Sequence, residues 1–176
     1  LLHKGIYSDR INTAATYATN AHKGQKRKYT GEDYITHPMA VANLLKDHYK
    51  NTTEDMFMAA LLHDTVEDTE ATHEEIEKFF GDEVARLVKG LTDTAKPEDG
   101  NRAQRKAIER DRLAKESKEV QTIKVFDLIH NTFSIKEHDP KFWEVYQLEK
   151  QDLLNVMTKV DPEVKQLGWK SITPTG

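Results

Sequence analysis

The chain reads as an all-α domain, a helical bundle of roughly seven to nine helices spanning residues 1–176. Three observations predict this. Apolar residues recur at i, i+3, i+4 and i+7 along most of the chain. Helix openers such as Ser8, Thr53, Thr72, Asp139-Pro140 and Asp161-Pro162 precede those stripes, and Gly24 and Gly81 follow two of them. No apolar–polar alternation runs longer than four residues, so no strand is expected.

Taken in order, Ser8 caps a first helix that runs to about His22-Lys23-Gly24, with Ile11, Ala14, Ala15 and Ala18 on one face. Residues 24–36 carry Gly24, Gly31 and polar side chains without helical period, which predicts a loop. His37-Pro38 opens a second helix with a face of Ala40, Val41, Leu44 and Leu45. Thr53 and Asp55 start a third, apolar from Met56 to Leu62 and ending near Asp64. Thr72-His73-Glu74-Glu75 resembles a capping box before Ile76, Phe79 and Phe80, closed by Gly81. Asp82 begins a helix with Val84, Leu87, Val88 and Leu91 inward. After a break over 97–100 come a highly charged helix, 101–117, and a more apolar one, 119–135, with Ile123, Phe126, Ile129 and Phe133 in step. The stripes at Phe79-Phe80 and Ile123-Phe126 are read as core. Asp139-Pro140 caps a long helix with Phe142, Val145, Leu148 and Leu153, and Asp161-Pro162 starts a short last one.

Composition narrows the functional classes. There are no cysteines, which excludes a disulfide scaffold, a thiolate zinc site and a cysteine nucleophile. No segment approaches the roughly 18 apolar residues of a membrane span, and no signal pattern opens the chain. A cytoplasmic protein is expected. The net charge of −4 disfavours a uniformly basic binder of DNA or RNA. Charge is nonetheless uneven: 23–28 and 102–112 are basic, whereas 67–77 is acidic.

The chemistry concentrates in Leu61-Leu62-His63-Asp64-Thr65-Val66-Glu67-Asp68. A buried apolar helix delivers four ionisable side chains where it ends. If the turn persists, His63 meets Glu67 and Asp64 meets Asp68 at i, i+4. Asp64, Glu67 and Asp68 repel one another and call for a cation, and a neighbouring histidine suits a first-row divalent metal. Asp127, within the apolar run 123–129, has to be paired or metal-bound if it is buried, and Asn131 follows one turn later. His37, His63, Asp64 and Asp127 can therefore close on one ion. The metal would lower the pKa of bound water and shield phosphate charge. Glu67 or Asp68 would act as general base, and Arg27 and Lys28 in the basic loop would hold phosphates.

Three segments in this order resemble the hydrolase domain of the RelA/SpoT family. They are Ala21-His22-Lys23-Gly24-Gln25-Lys26-Arg27-Lys28 with Gly31-Glu32-Asp33-Tyr34-Ile35-Thr36-His37-Pro38, then His63-Asp64-Thr65-Val66-Glu67-Asp68, then Lys124-Val125-Phe126-Asp127-Leu128-Ile129-His130-Asn131. The likeness spans about residues 8–136. With no synthetase segment after it, the chain resembles the small stand-alone alarmone hydrolases. The resemblance implies an HD-type helical fold and manganese held by His37, His63, Asp64 and Asp127. It implies Glu67 and Asp68 as catalytic acids and Asn131 as a substrate contact. The implied reaction removes the 3′-pyrophosphate of guanosine tetra- or pentaphosphate. Two departures bear on substrate rather than metal: the family's arginine after the metal aspartate is Leu128, and the loop before His37 is one residue longer.

Another nucleotide, such as a redox dinucleotide phosphate, is the alternative substrate. An inactive regulatory nucleotide-binding module is the alternative of another class, and it is disfavoured because the ligands and acidic pair are all present. His22 is expected to support the loop, His130 to be an interior or boundary residue, and His3, His48, His73 and His138 to lie at the surface. Arg102 and Arg105 are expected on a solvated face, with an approach to substrate phosphates as the less favoured role.

Overall fold

The computed structural model describes residues 8–173, and all statements below concern those residues. They form helices throughout and fall into two compact units divided between Thr92 and Asp93. None of the helices is long and apolar enough to cross a membrane.

In the first unit, α1 (Asp9–Ala21) starts where the Ser8 hydroxyl accepts the Ile11 N–H at 3.1 Å. It buries Ile11, Ala14, Ala15 and Ala18, the predicted face. A loop over residues 22–35 leads to α2 (Thr36–His48), and α3 (Glu54–Leu62) is capped by the Thr53 hydroxyl on Met56 N–H. Met56 to Leu62 are all buried, because α3 packs against α1, α2 and α6 (Asp82–Leu91) and has no wet face to offer. On α2, Val41 and Leu45 are buried as expected, but Ala40 and Leu44 are half-buried; His37, Met39 and Ala42 complete the inner face. The third helix breaks at His63-Asp64 and resumes as a single turn, α4 (Thr65–Asp68). α5 (His73–Phe80) is capped by the Thr72 hydroxyl, but Glu75 accepts from the Tyr17 hydroxyl at 2.8 Å rather than completing a capping box. Gly81 joins α5 to α6 at φ +93°, a backbone region that a side chain disfavours.

The second unit opens with a 3₁₀ turn, Pro97–Asp99, and then α7 (Arg102–Ala114), where Asn101 and Gln104 form a reciprocal capping box. α8 (Lys118–His138) packs against α9 (Pro140–Val156) and α10 (Pro162–Ile172). Ile123, Phe126 and Ile129 are core, but Phe133 is 58% exposed. On α9 the inward stripe is Tyr146, Leu153 and Leu154, while Val145 and Leu148 face out. Phe79 in the first unit is also exposed, set against the Tyr17 ring at 6.0 Å. Of these, Phe79 was expected in the core, and Phe133, Val145 and Leu148 were placed on apolar helix stripes. Helical period alone left the stripe's edge open, and neighbouring helices selected the adjacent residues.

A candidate metal centre and its acid pair

Burial of α3 carries His63 to the end of an apolar helix, where it is 2% exposed. Its Nδ1 lies 2.6 Å from the Ala60 carbonyl oxygen. A carbonyl only accepts, so Nδ1 carries the hydrogen and Nε2 is the ring nitrogen that faces outward. That nitrogen lies 3.1 Å from Asp64 Oδ2, and His37 Nε2 lies 3.6 Å from the same oxygen. The two imidazoles are 5.3 Å apart, centre to centre. Two imidazole nitrogens and a carboxylate oxygen facing one another form a set that suits a cation. His37, His63 and Asp64 each offer a donor atom within 4.8 Å of the others, a nitrogen and oxygen set that fits a divalent ion.

The backbone supplies the rest. His63 and Asp64 keep right-handed helical dihedrals across the break, and the Asp68 N–H still reaches the Asp64 carbonyl at 3.0 Å. The carboxylates of Asp64, Glu67 and Asp68 consequently converge within 4.8 Å, with Glu67 and Asp68 exposed. The predicted i, i+4 relation of Asp64 and Asp68 therefore holds despite the break.

Sequence reasoning did not assign a role to Tyr34 or Gln25. The Tyr34 hydroxyl donates to Asp64 Oδ2 at 2.6 Å. Gln25 Nε2 donates to the Asp68 carbonyl at 2.7 Å. Their positions in the loop motif were the only available signal. The loop itself holds an isolated antiparallel bridge between Lys26 and Asp33, and an ion pair joins the same two side chains. His22 is buried and meets Gln25 Oε1 through Nδ1 at 2.8 Å, so it does support the loop. Burial holds its imidazole below the usual histidine range. The Arg27 guanidinium sits 6.0 Å from the centre of the Tyr34 ring, and Lys28 lies over Tyr29. His48 and His138 are exposed, His73 is half-buried at the start of α5, and His3 lies outside the described residues.

Within the second unit, Asp127 is 6% exposed and paired as a buried carboxylate requires. Lys124 Nζ donates to Oδ2 at 2.9 Å and Asn131 Nδ2 to Oδ1 at 3.2 Å. Leu128 is buried, and its carbonyl accepts from the Thr132 hydroxyl at 2.8 Å. His130 is half-buried. Arg102 donates to Glu149 from Nε and Nη2, at 2.8 and 2.9 Å.

A family model described as HD domain matches residues 14–155, a stretch that enters both units. This chain belongs to the HD-domain family. Within the family, this HD domain is similar to a zebrafish protein named guanosine-3′,5′-bis(diphosphate) 3′-pyrophosphohydrolase MESH1, with 33% identity over 76% of this chain and 73% of that one. It is also similar to a Brucella melitensis protein named GTP pyrophosphokinase rsh, with 37% identity over 74% of this chain; the match spans only 18% of that relative's length. A solved structure described as a metazoan ortholog of SpoT that hydrolyses ppGpp superposes with a TM-score of 0.83, at 28% identity, over 94% of both chains. These likenesses put the HD domain in the RelA/SpoT-type branch.

Proposed function

We propose that this HD-domain protein hydrolyses the 3′-pyrophosphate of guanosine tetra- or pentaphosphate. The observation that carries the proposal is the convergence of His37, His63 and Asp64 next to the exposed pair Glu67-Asp68. Similarity to named 3′-pyrophosphohydrolases supports the choice of substrate.

In our reading the metal is manganese, and Asp127 joins His37, His63 and Asp64 in holding it. A divalent ion there would lower the pKa of bound water and screen phosphate charge. Tyr34 orients the Asp64 carboxylate through its hydroxyl. Glu67 or Asp68 takes the proton of the attacking water. The water oxygen joins the phosphorus nearest the ribose as that phosphorus parts from the 3′ oxygen, which leaves with a proton. Pyrophosphate departs, and guanosine di- or triphosphate remains. Arg27 and Lys28 hold substrate phosphates, and Asn131 contacts the nucleotide. Residues 1–176 act as a single domain, supported by a family match that enters both units. A substrate drawn from the cell's guanine nucleotides supports a cytoplasmic site of action. The net negative charge supports no role with DNA or RNA.

The test is incubation of purified protein with manganese and guanosine tetraphosphate. Release of pyrophosphate is expected, and its absence sinks the proposal. The double variant Glu67→Gln, Asp68→Asn is expected to lose turnover and keep its metal. Buried Leu128, in place of the family's arginine, favours one second reading: hydrolysis of another nucleotide, such as a redox dinucleotide phosphate. Ranking a nucleotide panel by kcat/KM separates the two.

A further inference from the structure

We infer that Gln25 is a positioning residue for the acid pair and that His22 acts through it. This rests on the reading of Glu67 and Asp68 as the proton-transfer pair. Those residues end α4, a turn of four residues that is too short to hold itself in place. The last carbonyls of a helix have no partner within it. Gln25 supplies one from outside, since its Nε2 donates to the Asp68 carbonyl at 2.7 Å.

That bond fixes the rest of the chain of contacts. The carbonyl only accepts, so the amide nitrogen of Gln25 faces Asp68 and its Oε1 faces His22. At 2.8 Å, His22 Nδ1 must then be the donor. His22 is 2% exposed, so its ring has little room to turn away. The backbone of Gln25 is equally committed. Its N–H donates to the His22 carbonyl at 3.0 Å, and its carbonyl accepts the Tyr34 N–H at 2.9 Å. Tyr34 in turn holds Asp64 through its hydroxyl. One residue thus spans from the metal aspartate's partner to the turn that bears the acids, and so sets the distance between them.

Two substitutions at His22 separate this role from others. His22→Asn keeps a donor near the Nδ1 position and removes Nε2; His22→Gln does the reverse. The assay uses manganese-loaded full chain with guanosine tetraphosphate, metal content per chain and hydrogen exchange of amides 65–69. Gln25→Ala and His22→Gln should lower kcat about 10- to 100-fold with KM little changed, the usual cost of losing an outer contact. Both should keep their metal and speed exchange at 65–69. His22→Asn should retain most of the turnover. If His22→Asn falls as far as His22→Gln, or if Gln25→Ala leaves exchange at 65–69 unchanged, the inference is overturned. Should Gln25→Ala fail to fold, the two His22 variants carry the test alone. Full turnover in the Glu67→Gln, Asp68→Asn protein would instead overturn the acid-pair reading, while exchange still decides whether Gln25 holds the turn.

Discussion

The Tyr34 hydroxyl donates to Asp64 Oδ2 at 2.6 Å, and that oxygen is the one facing both His37 and His63. In the proposed metal site this bond would aim the Asp64 carboxylate. Tyr34→Phe keeps the ring and removes the donor. Metal affinity should fall about 10-fold or more, the usual cost of losing a partner behind a ligand. Chelator competition measures it.

Metal removal should destabilise the fold, because an ion held by the folded chain alone shifts the equilibrium toward it. At a hundredfold excess over Kd, a bound ion adds about 2.7 kcal/mol. For a chain of this size that is a shift in Tm of about 5–10 °C. Calorimetry with and without chelator checks this, and added manganese should restore the midpoint.

Glu109 in the second unit should control acid stability. It is buried and accepts N–H donors from Thr94 at 2.8 Å, Ala95 at 2.7 Å and Arg112 at 2.9 Å. Burial pushes its pKa up, but the Ala95, Arg112 and Thr94 donors together hold it below the usual carboxylate value. A pKa lower in the folded than in the unfolded state means the stabilisation is present above the unfolded value and lost as pH falls through the folded one. Glu109→Gln should cost about 1.5–3 kcal/mol near neutrality. The difference from wild type should shrink in acid, as denaturant titrations across pH would show.

Lys150 should work in the opposite sense. Burial, with repulsion from Lys124 and Lys106 added, pulls its pKa down to about 7, against the pull of Asp127 and Glu149. Because the unfolded chain holds this proton more tightly, the ammonium destabilises the fold. The penalty is complete below about pH 7 and fades as pH rises toward the unfolded value near 10.5. Lys150→Met should therefore be more stable than wild type at pH 6, with the gain shrinking by pH 10. Loss of the contact between Lys150 and the Tyr146 ring opposes this gain only in part. Thermal unfolding at the two pH values measures it.

Helix order, the main caps and the His-Asp-x-x-Glu-Asp segment are local properties of the chain, so they could be read without a structure. Ser8, Thr53 and Thr72 cap through residues three positions away. Asp64 and Asp68 meet through one backbone hydrogen bond. For Asp127, burial and charge called for a partner or a metal without saying which, and the Lys124 contact was not foreseen. Which side of an amphipathic helix faces inward at its margins depends on neighbours, and that is why Phe79, Phe133, Val145 and Leu148 are exposed. The convergence of His37 with His63, and the contacts of Tyr34 with Asp64 and of Gln25 with Asp68, join residues about 26 to 43 positions apart. No local period or spacing encodes such distances. They arise because α3 is buried against α1 and α2, and that packing brings the loop between α1 and α2 onto the end of α3.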